Sequence, residues 1–470
     1  MGAAPLDAMR AAGDRMALCW QAGLDRASGA AGVAAVQRKR LAALVRHVRV
    51  ASPLFRELYR DLPAAPPLET LPATRRAALM ERFDAWVTDP AVTLAGTRAF
   101  VADRTRVGER LLGRYAVWTS SGTSGEEGLF VQDEQALAVY DALLALQLAS
   151  PDLAGACVAG LLDGGRAALI AATGGHFASV ASWERIRRAH PSLLASVFPV
   201  TDPLDVLVAK LDGFAPAFIA SYPTLLWLLS DERRAGRLHV APSLVWAGGE
   251  TIAPAMRDAL ARAFGCPVID EYGASECLSI AFGCREHWLH LNADWVILEP
   301  VDAEGRPVPR GQRSHTVLLT NLANRVQPIV RYDLGDSVLM RAGPCPCGSP
   351  LPALRVEGRS DDVVVLRDRE RVVRIAPMAL STIVEEATGV HRFQVMQCGS
   401  NALRLRFACP EPAQREQAFR SAVASLRAYL STLGAGGTRI ALDHRPPQPD
   451  ARSGKLRQVV VEGKPGGRAA

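Results

Sequence analysis

The chain has 470 residues, 49% hydrophobic and 22% charged, with a net charge of +6. That length exceeds what one hydrophobic core serves, so two or three domains are expected. The modest charge, with no aromatic-rich RNA-binding signature or zinc-finger spacing, speaks against nucleic acid as a partner, and no uncharged apolar run is long enough for a membrane span.

In chain order, residues 1–112 read as a helical entry segment. Leu41, Leu44, Val45 and Val48 fall on one helical face, with Arg38, Lys39, Arg40, Arg46 and Arg49 around the remainder as a solvated flank. Tyr115 to Trp118 and Leu129 to Val131 read as two strands. Between them lie Ser120, Ser121, Gly122, Thr123, Ser124 and Gly125, a loop whose N–H and hydroxyl groups can hold an anion. Glu126 and Glu127 follow where a phosphate loop usually places lysine, and the Walker A pattern is absent. From about residue 115 to 340, β-rich runs such as "LVWAGGE" and "PVIDEYG" alternate with helical ones such as "PAMRDALARAFG". This alternation predicts α/β architecture with ligand groups at strand ends. Beyond it, strands "DDVVVL", "LRLRFAC" and "TRIALDH" mix with helices "APMALSTIVEEATG" and "EPAQREQAFRSAVASLRAYLSTLG", which suits a small α+β domain. Nine cysteines without a signal segment read as thiols or metal ligands of a cytoplasmic protein.

Six stretches occur in a telling order: "TSSGTSG", "WAGGE", "DEYGASE", "VRYDLGD", "GRSDD" and "ARSGK". Together they resemble the adenylate-forming enzymes of the acyl-CoA synthetase superfamily, within it the phenylacetate–CoA ligase-like branch. The entry segment "SPLFRELY…LPATRRAALMERFDAWVTDP" is also similar to that branch. The resemblance implies an N-terminal adenylation domain over 1–360 and a mobile lid over 361–470. Such enzymes join a carboxylic acid to ATP as an acyl-adenylate and pass the acyl group on. Coenzyme A is the implied acceptor, with a carrier-protein phosphopantetheine thiol or an amine as alternatives. The implied acid is aromatic or short. A non-catalytic nucleotide-binding protein would not need Glu276, Asp336, Arg359 and Lys455 together.

The resemblance also assigns roles. Ser120–Gly125 would hold the β- and γ-phosphates, and Glu276 would bind Mg²⁺, a hard cation that wants carboxylate oxygen. Gly248, Gly249 and Glu250 would line the adenine pocket, as would the stretch with Glu271 and Ser275. Tyr272 would stack on adenine while Gly273 and Ala274 let the adenylate approach the backbone. Asp336 and Arg359 would take the ribose, His176 would gate the acyl pocket, and Ser221, Tyr222 and Pro223 would line it. Asp361 matches the hinge, and Lys455 would bridge carboxylate and α-phosphate. The segment "VVVLRDRERVVRIAP" departs from the better-known ligases where coenzyme A is usually admitted.

"CREHWLH" and "CPCG" present a second centre. Cys345 and Cys347 in a proline-glycine turn, Cys284, and either His287 or His290 make a tetrahedral Cys₃His zinc set. The resemblance favours His290, six positions after the cysteine, and a structural zinc. The oligomeric state is left open, a homodimer included.

Overall fold

A computed structural model describes residues 3–120, 128–190, 193–356, 364–368, 371–375, 377–390, 392–409, 411–448 and 457–462. The entry segment is helical, led by Ala3–Ala27 and Gly29–Ala51. The second helix buries Leu44, Val45 and Val48 of the face read from the spacing, leaves Leu41 half-buried, and adds Val33. Its basic flank is not wholly solvated. Arg40 pairs with Asp25 at 3.0 Å and lies 3.6 Å over the Trp295 ring. Its guanidinium plane suits an aromatic face, which no helical spacing could announce.

Strands Ala116–Ser120 and Gly128–Gln132 form the expected hairpin around the hydroxyl-glycine loop. After it, strands and helices alternate into a nine-stranded sheet. Five strands run parallel in the spatial order Ala195–Pro199, Ala167–Ala171, Phe218–Ser221, Leu244–Ala247 and Val268–Ala274. The helices between them are the crossovers that parallel pairing requires. Pro254–Phe264 shows how locally they are specified: proline opens the helix and Gly265, at φ +72, closes it.

The first strand of this set, Ala167–Ala171, has its successor on one side and Phe218–Ser221 on the other. That reversal is a topological switch point, where open sheets leave a crevice beyond their strand ends. Past Val268–Ala274 the sheet turns antiparallel, through Cys277–Gly283, Leu289–Leu291, Ala353–Val356 and Val338–Met340. A three-stranded sheet of Val296–Val301, Thr316–Asn321 and Tyr332–Asp333 lies apart from it.

The last hundred or so residues build their own four-stranded sheet, in the order Arg439–Leu442, Ala402–Phe407, Phe393–Gln397 and Val459–Val461. Helices Pro377–Thr388 and Pro412–Thr432 accompany it, as the sequence pattern predicts. One buried apolar cluster runs from Leu226, Leu229 and Leu260 under the parallel strands to Val395 and Leu405 of this sheet and Leu426 of helix Pro412–Thr432. An α/β architecture with a smaller α+β layer is therefore the fold. No helix among the described residues is long and apolar enough to cross a membrane.

Candidate functional site

A cavity of about 380 Å³ opens beyond the ends of strands Leu244–Ala247 and Val268–Ala274. Three separate sequence motifs meet in its wall: Gly249 and Glu250, then Glu271, Tyr272 and Gly273, then Asp336. The Tyr272 hydroxyl donates to Asp336 Oδ2 at 2.8 Å. Two motifs 64 residues apart are thereby joined at one hydrogen bond. Gly249, at φ +78, needs glycine both for its backbone and because a Cβ would sit 3.0 Å from the Tyr222 ring. The Gly248 amide donates to Ser221 O, tying this turn to the neighbouring strand end.

Glu250 lines the cavity, yet its carboxylate accepts from the Thr224 amide (3.0 Å) and hydroxyl (2.9 Å). It thus caps helix Pro223–Arg234, at whose first turn an anion is favoured. Pro223 opens that helix. Tyr222 stands just before it, and its oxygen accepts from the Ala172 amide at 3.2 Å across the topological switch point. The expected acyl-pocket residues are therefore next to the Gly248–Glu250 turn, through the close approach of Tyr222 to Gly249.

Burial pushes the Glu271 carboxyl up to about 8, against hydrogen bonds from Trp246 and Ser279. Burial also raises Asp270, to about 6, and Arg257 opposes it. Gly273 has a packing role beside any ligand role: a Cβ there would run into the Leu278 carbonyl of the paired strand. Ala274 pairs with Cys277 across a register shift, so the strand kinks where it meets the cavity.

Glu276 is buried, and Oε1 accepts from the Tyr332 hydroxyl at 2.6 Å and from Arg76 at 3.2 Å. The sequence motifs contained Arg76 and Tyr332, but nothing in their spacing marked them as partners of this carboxylate. Ser275 O accepts from the Trp118 indole at 2.7 Å, which binds the hydroxyl-glycine hairpin to the Glu276 turn. Ser120 closes that hairpin, its Oγ accepting from the Gly128 amide at 3.2 Å.

His176 is 1% exposed, its Nε2 is 3.0 Å from Asp103 O, and its ring lies against Phe100. Burial lowers its pKa, so the ring is neutral and Nε2 carries the proton toward Asp103. It is not among the residues lining the cavity. Ser121, Gly122, Thr123, Ser124, Gly125, Arg359, Asp361 and Lys455 lie outside the described residues.

The Cys/His centre assembles as the sequence suggested. The ligand atoms of Cys284, His290, Cys345 and Cys347 all lie within 4.8 Å of one another. A tetrahedral ion with bonds of about 2.3 Å to sulfur sets its thiolates about 3.8 Å apart. The Sγ atoms of Cys284 and Cys345 are 3.8 Å apart. His290 turns Nδ1 to Leu351 O at 3.0 Å and Nε2 to Cys347 at 3.1 Å, the orientation a metal-bound imidazole takes. Burial works against ionising the Cys284 thiol, but His290 and nearby amides outweigh it and hold it at about 6. Burial and the neighbouring sulfurs push Cys347 up to about 12, a repulsion that a divalent cation would relieve. His287 turns instead to Asp258, with Nε2 3.4 Å from Oδ1.

Comparison with known proteins adds the fold's lineage. No protein-family model matches the chain. Protein CapK of Staphylococcus aureus is 21% identical over 198 residues, 41% of this chain and 42% of that protein. The match thus spans less than half of that curated relative. A 2-hydroxyisobutyryl-CoA ligase holding 2-HIB-AMP in the postadenylation state superposes with a TM-score of 0.53 at 20% identity. That alignment covers 91% of this chain and 89% of the ligase. The same ligase with 2-HIB-AMP and CoA in the thioesterification state gives 0.55 at 21% identity, over 90% and 88%. The chain has the adenylate-forming ligase fold.

Proposed function

We propose that this chain is an ATP-dependent, AMP-forming acid ligase of the phenylacetate–CoA ligase-like kind. It activates an aromatic or short carboxylic acid as an acyl-adenylate and transfers it to coenzyme A. One observation carries the reading: motifs centred on residues 249, 272 and 336 converge on one cavity beyond the ends of parallel strands. In this reading Asp336 takes the ribose, Tyr272 the adenine face, and Ser120–Gly125 the terminal phosphates. Glu276 would hold magnesium, which supplies positive charge to the phosphates. Residues 361–470 act as a lid that brings Lys455 to the reacting carboxylate and turns about Asp361. Zinc held by Cys284, His290, Cys345 and Cys347 would be structural, since protein fills all four positions.

The segment after Asp362, unlike that of better-known ligases, favours a second acceptor: a carrier-protein thiol or an amine. Acid-dependent ATP–pyrophosphate exchange over a panel of acids tests the first half-reaction. Thioester detection with coenzyme A or a carrier protein then tests the second. Exchange with at least one aromatic or short acid is expected. A folded, metal-loaded protein with no acid-dependent exchange would sink the reading, and fast coenzyme A turnover would remove the second acceptor.

A further inference from the structure

The nucleotide cavity and the Cys/His cluster share their walls. Cys284 directly follows strand Cys277–Gly283 and starts a tight turn, closed by its amide to Trp288 O (2.8 Å) and by the His287 amide to Cys284 O (3.2 Å). Three residues on from one ligand and one residue before the next, His287 and Leu289 line the cavity. Cys345 and Cys347 precede strand Ala353–Val356, whose Arg355 and Val356 line it too. That strand pairs with His290 and Leu289. Arg355 also lies 4.2 Å over the Trp288 ring of the turn.

Arg257 joins the two sites from the other side. It lines the cavity beside Asp270, and it donates to Val268 O at 3.1 Å and to Cys284 O at 2.7 Å. One side chain therefore grips the end of a sheet strand, the backbone of a metal ligand and the cavity wall.

The turn is also strained. His287 has φ +55, a left-handed conformation that is unfavourable for a residue with a side chain. Such a conformation persists where its surroundings over-determine it. Here the anchors are Cys284 and His290 on either side. With a cation at the cluster both ends of the turn are held. Without one, the buried Cys345, the half-buried Cys284 and Cys347 and the His290 imidazole crowd together unshielded, and the turn can relax toward ordinary backbone. Relaxation of the turn would disturb His287 and Leu289, which line the cavity, and the Cys284 carbonyl to which Arg257 donates.

We propose that metal at the Cys284–His290–Cys345–Cys347 cluster sets the affinity of the neighbouring cavity for an adenine nucleotide, with Arg257 as the positioning residue that couples them. The proposal rests on the nucleotide reading of that cavity. The coupling is a free energy between two sites that share one two-state element, the 284–290 turn.

The test uses the full chain and AMP as probe. AMP affinity is measured calorimetrically on protein of known zinc content, after chelation, and after zinc is returned. Near-ultraviolet circular dichroism reports whether the fold survives. Chelation should weaken AMP binding roughly tenfold, a typical size for coupled sites, and zinc should restore it. Arg257→Met should keep its zinc, bind AMP weakly, and show no further loss on chelation. Unchanged AMP affinity in zinc-free, folded protein overturns the proposal, as does a chain that takes up no zinc. Loss of AMP binding together with the near-ultraviolet signal also overturns it, because it reports unfolding. An Arg257→Met variant that still responds to chelation removes Arg257 from the coupling. A zinc-loaded chain that binds no AMP at all overturns the nucleotide reading itself, a result distinct from the others.

Discussion

Arg76 and Glu276 show how much one side chain can decide. Glu276 is a buried carboxylate whose charge is balanced by Arg76 and whose Oε1 also accepts from Tyr332. A buried ion pair adds little over an apolar pair, but breaking one side of it leaves an unpaired charge in a poor solvent for charge. Arg76→Gln should therefore destabilise the protein by about 3 kcal/mol in urea unfolding. Arg76→Gln with Glu276→Gln should recover most of that loss. Equal loss in the single and double variants would mean that Arg76 acts through packing instead. In the proposed reaction magnesium and Arg76 share the same carboxylate, so Arg76→Gln should also change the magnesium concentration needed for half-maximal exchange.

At the scale of elements, the strand Val268–Ala274 carries the site because its far end cannot remain regular. The register shifts between Tyr272 and Ala274, against Cys277–Gly283. Gly273 sits in that irregularity, facing the Leu278 carbonyl with no room for a Cβ. The sequence reading gave Gly273 to the ligand, since glycine permits close approach. Packing between two strands supplies an independent reason for the same residue. Gly273→Ala should cost about 1–3 kcal/mol, the usual scale of overpacking a tight interior. Thermal unfolding of the variant without ligand checks this, because a purely ligand-directed glycine would leave the apo stability unchanged.

For the molecule as a whole, residues on either side of position 361 touch. Arg374 pairs with Asp231, and a Cβ on Gly174 would run into the Glu386 carboxylate. The apolar cluster under the parallel strands continues into the C-terminal sheet. In the proposed cycle these contacts belong to one lid position, and turning about Asp361 exchanges them for others. Lys455 is the sharpest probe of that cycle. A fixed cation near the charge that builds as the carboxylate attacks contributes most in a water-poor cleft. Lys455→Ala should slow adenylation by roughly a hundredfold and largely spare transfer from supplied acyl-adenylate. Equal loss in both half-reactions would point to misfolding, and no loss in either would defeat the adenylation reading.

Features that depend on short-range chemistry were legible in the residues alone. Periodicity found the apolar face of Gly29–Ala51, and β-branched runs bounded by glycine found the hairpin around residues 120–128. Proline and glycine bounded Pro254–Phe264. Cysteine spacing named Cys284, Cys345 and Cys347 and left His287 and His290 as alternatives, between which the resemblance favoured the His290 that the structure brings to the cluster. Which distant groups meet emerged only from the folded chain. Glu276 belongs with Arg76, 200 residues away, and Glu250 caps a helix while it lines the cavity. Arg257 reaches Cys284 only because the helix before Val268–Ala274 packs beside the turn after Cys277–Gly283. Such contacts are fixed by sheet order and crossover geometry, which act between segments far apart in sequence and leave no local pattern to read.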